Sequence, residues 1–117
     1  MSALLEILGR GITINTADLI AHWLDQVKLP KDEGKSAQYQ QLNKIIELLG
    51  DKKLDAAQER IKQYLLENPS CSRGRMAAAS LHLHKNQIQK AIDELNSVYL
   101  RQPNNTMALY ALSLIHI

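Results

Sequence analysis

Two prolines, Pro69 and Pro103, stand 34 residues apart, and the apolar positions ahead of them recur at the same shift. Leu54 falls on Ile88, Ala57 on Ala91, Ile61 on Leu95, Tyr64 on Val98 and Asn68 on Gln102. A fixed spacing of this size marks one supersecondary unit used repeatedly, each copy burying its apolar face against its neighbour. Each match has a physical reason. Ala57 and Ala91 suit the closest approach of two helices, where only a small side chain fits. Leu54/Ile88 and Ile61/Leu95 lie one turn either side and fill the space the alanines leave. Pro69 and Pro103 prevent the helix before them from continuing.

Helical periodicity fills the chain around these marks. Residues 2–8 carry enough leucine and isoleucine for a short helix that Gly9 and Gly11 end. Asn15 and Asp18 form a candidate capping box, and Leu19, Ile20, Trp23, Leu24 and Val27 make one apolar stripe up to Pro30. A charged connector follows, from Lys31 to Lys35. Ser36 is expected to cap a third helix with Leu42, Ile45, Ile46 and Leu49 in period and Gly50 as its stop. Asp51 is expected to cap a fourth helix running to about Leu66, with Leu54, Ala57, Ile61 and Leu65 inward. A fifth helix is predicted over 72–84 with Met76, Ala79 and Leu83 inward. Lys85-Asn86-Gln87 is a tight turn, a sixth helix covers about 87–100, and a seventh starts near Thr106. No window alternates with a period of two, so the expected fold class is all-α: antiparallel helix hairpins without a sheet.

A 34-residue helix-turn-helix unit that reads Ala-x3-large apolar and then Pro resembles the tetratricopeptide repeat. The family's second-helix pattern stands here as Ala57-x3-Ile61 before Pro69 and Ala91-x3-Leu95 before Pro103. The first-helix pattern, W-x2-L-G-x2-Y, is not kept. Its places hold Gln41, Lys44, Ile45 and Leu48, then Arg75, Ala78, Ala79 and His82, and only Ala79 preserves the small residue. That departure leaves a related helical-hairpin repeat open. The resemblance implies a right-handed solenoid over residues 36–111, holding about two complete units and the start of a third. Residues 1–35 do not share the period and are expected to be a helical cap with its connector. The last six residues, Leu112-Ser113-Leu114-Ile115-His116-Ile117, match what a transposon end used in DNA library preparation encodes in one frame. Residues 112–117 are therefore expected to be a non-native tail, with the natural repeat continuing past Ala111.

Composition removes several function classes. The formal charge is +2, and the most basic short stretch is Arg73-Gly74-Arg75, too small for a nucleic-acid footprint. No segment approaches the roughly 20 apolar residues that cross a bilayer. Cys71 is the only cysteine, and no basic leader precedes the apolar N-terminus, so the expected location is cytoplasmic. His82 and His84 are two apart and cannot share a helix face as zinc ligands do. Gly9-Arg10-Gly11 lacks the rest of a dinucleotide loop, and Asp32-Glu33 sits in a polar connector. No cofactor, metal site or catalytic constellation is expected.

The remaining expectation is a binding module. In the family it resembles, first helices line a concave groove that holds a segment of a partner protein. The groove-facing row then carries Tyr39, Leu42, Ile46 and Leu49, followed by Arg73, Met76, Ser80 and His84. Members that clamp a free carboxyl terminus carry Lys, Asn and Arg on this surface. The matching places here hold Leu42, Ile46, Ala77, Met107 and Ala111, so an apolar partner segment is expected instead. A competing expectation is that the helix bearing Trp23 covers Leu42, Ile46 and Leu49. The alternative function is the N-terminal recognition region of a larger enzyme.

Overall fold

A computed structural model of the chain describes residues 15–26 and 37–115, with side chains from Gln40 onward in the second segment. The segment 2–8, the stops at Gly9, Gly11 and Pro30, the 31–35 connector, the Ser36 cap and the Tyr39 side chain lie outside the described residues. Six helices are described: α1 over 15–26, α2 over Ala37–Gly50, α3 over Leu54–Glu67, α4 over Ser72–His84, α5 over Ile88–Arg101 and α6 over Thr106–Ile115. No strand occurs among the described residues. Each helix from α2 to α6 packs on the next, and α2 also packs on α4.

The turns show why the helices stop where they do. At the end of α2, Lys53 N–H donates to the Leu48 carbonyl at 3.0 Å and Lys52 N–H to Leu49 at 3.2 Å. These two bonds form the Schellman motif, which requires a left-handed residue, and Lys52 takes that role at φ 60°. The end of α4 repeats the pattern: Gln87 to His82 at 2.7 Å, Asn86 to Leu83 at 3.1 Å, and Asn86 at φ 58°. Gly50, expected to be the stop, is the last residue of α2, though without a positive φ, and the left-handed role passes to Lys52. Asp51, expected to cap α3, is passed over: Lys53 is the N-cap and makes no side-chain cap bond. Asn15, expected to cap this helix, is itself helical and is the first described residue of α1. Every backbone bond outside the regular helices from Asp51 to Arg75 has a counterpart exactly one 34-residue shift later.

The stripes land as the periodicity predicts at the helix centres. Ile88, expected to fill space beside Ala91, is instead 36% exposed, and its counterpart Leu54 is only partly buried. Two further exceptions lie on α3 and α4. Ala57, Ile61, Ala91, Leu95 and Val98 are all buried, and both alanines are fully inaccessible. On α3 it is Tyr64 that is buried, at 2% exposure, while Leu65 is only partly covered. The second exception is α4. Three inward residues were expected; the structure buries Gly74, the unbroken run Met76 to Leu81, and Leu83. A helix covered on nearly every side is central, and α1, α2, α3 and α5 all contact it.

Small side chains make that central position possible. A Cβ on Gly74 would lie 2.7 Å from Cε1 and 3.0 Å from Cδ1 of Tyr64. The tyrosine ring therefore occupies space that any larger residue at 74 would need. One shift later the same places hold Val98 and Ala108, a smaller residue opposite a larger one.

Two stability outcomes follow from this packing. Ala91→Leu forces bulk into a filled site and is expected to cost ~1–3 kcal/mol, several times the effect of Lys90→Leu on the exposed side of α5. Thermal melts of the two variants check it, and equal effects would refute the hairpin register. Gly74→Ala ordinarily gains up to about 1 kcal/mol in a helix. Here it is expected to lose about 1–3 kcal/mol to the Tyr64 clash. Adding Tyr64→Val, the arrangement of the next hairpin, is expected to recover most of the loss in the same melts.

Candidate functional site

The face predicted to be a groove is where α1 lies. Ala17, Ile20 and Leu24 of α1 are buried in one cluster with Leu42, Ile46 and Leu49 of α2 and Met76 of α4. Ser80 Oγ donates to the Ala17 carbonyl at 2.8 Å, a fully buried bond between α4 and α1. Of the candidate site residues, Leu42, Ile46, Leu49, Met76 and Ser80 are therefore buried, and His84 keeps only 5% of its side chain accessible. Arg73 alone among those with described side chains lies half-buried at the edge of an open surface.

Charged groups ring one end of α1. The Asp18 carboxylate pairs with Lys52 Nζ at the α2–α3 turn. His84 Nε2 lies 3.5 Å from Asp18 Oδ1 without a hydrogen bond to it, and it has no other partner among the described residues. Burial pushes the His84 pKa below its ordinary value and the Lys52 ammonium pushes it further, against the opposing pull of Asp18. The net effect disfavours the charged imidazolium.

Arg75 bridges three elements: Nη1 donates to both Glu94 oxygens at 3.2 and 3.3 Å, and Nε and Nη2 both donate to the Pro69 carbonyl. The fork geometry of guanidinium suits this double task, tying the α3–α4 turn to α5. Sequence pattern carries no signal for it, because Glu94 is 19 residues away. Arg73, two residues earlier, makes no ion pair or hydrogen bond with any described residue.

Two open regions flank α1. One is a cleft of about 630 Å³ between α1 and α2, bordered by Asp18, His22, Asp25, Glu47, Asp51 and Lys52. The other is a trough in two adjoining parts that share Trp23 and Thr106. Its polar part, about 560 Å³, runs over the starts of α4 and α6 and includes Arg73. Its apolar part, about 590 Å³, is walled by Trp23, Met107, Leu109 and Tyr110. Cys71, the N-cap residue of α4, makes no cap bond and its thiol instead meets the Tyr64 hydroxyl at 3.1 Å. At the start of α6, Asn105 Oδ1 accepts from the Ala108 N–H at 3.1 Å.

Among the described residues no group of three or more His, Cys, Asp or Glu side chains is placed to hold a metal ion, and no helix is long and apolar enough to cross a membrane. No family model matches the chain, and neither a curated protein nor a solved structure shows significant similarity to it.

The buried imidazole sets a pH dependence. Its folded-state pKa lies below the unfolded value of ~6.5, so its contribution is intact above that pH and is lost as pH falls through and below it. Stability is expected to drop by no more than about 1.4 kcal/mol per pH unit from this group. Melting temperatures from pH 7.5 to 5 check it: His84→Gln should flatten the acid limb relative to the native chain, and an unchanged limb would assign the effect to other groups.

Proposed function

We propose that this chain is a tetratricopeptide-like helical module that binds a segment of another protein. The single observation that carries the reading is the 34-residue recurrence, present both in the apolar positions and in the backbone bonds of the turns. It is supported by the order of packing, each helix against the next with α2 also against α4, which is how stacked hairpins contact one another. Extended surfaces of such stacks are suited to hold a peptide or helix. With α1 over α2 and α4, the trough between α1 and α6 is the open surface among the described residues that combines polar and apolar walls for a partner segment.

The test is affinity capture under photo-crosslinking, with the crosslinker placed at Thr106, which both parts of the trough share. A saturable adduct with one partner segment is expected, competed by that segment as a synthetic peptide. Absence of any saturable adduct would refute the binding reading. A second reading, recognition region of a larger enzyme, is separated by the natural reading frame past Ala111: further hairpins favour the scaffold, a non-repetitive domain with nucleophile or metal motifs favours the enzyme.

A further inference from the structure

We infer that the trough between α1 and α6 takes an internal acidic-apolar peptide segment, its carboxylate side chain against Arg73 and its apolar side chains against Trp23 and Tyr110. This rests on the binding reading above and names the chemistry of the partner.

Charge complementarity selects the occupant. Among the described residues no acidic side chain borders either part of the trough, and neither α4 nor α6 carries one in its first turn. Among the described residues Arg73 is the only charged group along it, half-buried and without a described partner. A guanidinium in that state holds a carboxylate more strongly than a fully solvated one would. The cleft on the opposite flank of α1 has the reverse character, with Asp18, Asp25, Glu47 and Asp51 against Lys52, which Asp18 already pairs. The two flanks therefore discriminate by charge.

The second part of the trough supplies the apolar seat. Leu109 and Tyr110 are 50% and 52% exposed, and Trp23 is partly covered and packed on the core. Large side chains left this open beside a fixed indole ask for an apolar anchor. An occupant must reach from Arg73 past Trp23 to Tyr110, so acid and anchor belong to one continuous segment. Free carboxyl-terminus recognition needs several donors around one group, and Arg73 is a single cation.

The experiment is selection of random twelve-residue peptides, displayed internally so that neither terminus is free, on the immobilised 117-residue protein. Enriched peptides are expected to share an Asp or Glu followed by two large apolar residues. Synthesised with acetylated and amidated ends, they are expected to bind Arg73→Glu roughly tenfold more weakly or worse, one charge-assisted contact's worth. Replacing their acid by Lys should restore binding to that variant. Tyr110→Ser, at an exposed position, should weaken binding several-fold while circular dichroism stays unchanged. Enriched peptides without an acid, or binding indifferent to Arg73→Glu, overturn this inference and leave the binding module standing; basic peptides would point to the acidic cleft. A protein that dimerises and becomes monomeric in Tyr110→Ser shows a second copy in the trough and also overturns it. No enrichment on folded protein refutes the binding reading itself.

Discussion

The close approach of α4 to its neighbours governs the rest of the described structure. Four helices reach α4, and they can do so because its residues from Gly74 to Ser80 are, apart from Arg75 and Met76, small. A packed interior tolerates no voids, so small residues on one helix demand large ones opposite. Tyr64 fills the space at Gly74, while Ile20, Leu24, Leu42 and Leu49 stand in the same cluster as Met76 and Ala79. A bulkier α4 would push α1 and α3 outward together. Arg75 works in the other direction: it is the one long side chain in that stretch that leaves the core, and it fastens the α3–α4 turn to α5 through Glu94 and Pro69.

Local features were the legible ones. The break at Asn68-Pro69, the turn at Lys85-Asn86-Gln87 and the bounds of α4 are all set by residues within a few positions of one another, and the sequence shows them directly. Helix ends were harder where chemistry competed. Gly50 and Asp51 carry the usual stop and cap preferences, yet the chain turns at Lys52: the Schellman bonds close two residues later than a left-handed glycine at 50 would place them. Lysine in a left-handed conformation costs roughly 1 kcal/mol, which the turn's bonds and the Asp18 contact offset.

The candidate surface was much less legible. Periodicity identifies which side of α2 is apolar, but not whether α1 or solvent meets it. Leu42, Ile46 and Leu49 read equally as groove or core, and the decision lies in contacts spanning more than 60 residues, such as Ser80 to Ala17. The same is true of α4, whose Ala77 and Ala78 look like an indifferent helix surface until four neighbours are placed around it. Trp23, Arg73 and Tyr110 come together only through tertiary packing, and nothing in their spacing announces it.

Helix α1 links the buried histidine to the open trough. Trp23 belongs to α1, so the trough keeps its shape only while α1 stays seated on α2 and α4. That seat rests on Ala17, Ile20 and Leu24, on the Ser80 bond, and on Asp18 between Lys52 and His84. Protonating His84 places a second cation beside Lys52 in a site that already disfavours charge, with Asp18 alone among the described residues to compensate. Linkage is reciprocal. If acidification loosens α1, a ligand that wedges against Trp23 must hold α1 in place and lower the His84 pKa further by the same free energy. A ligand bound wholly on α6 would have no such effect. The proton affinity of one buried imidazole thus reports whether the indole wall takes part in binding.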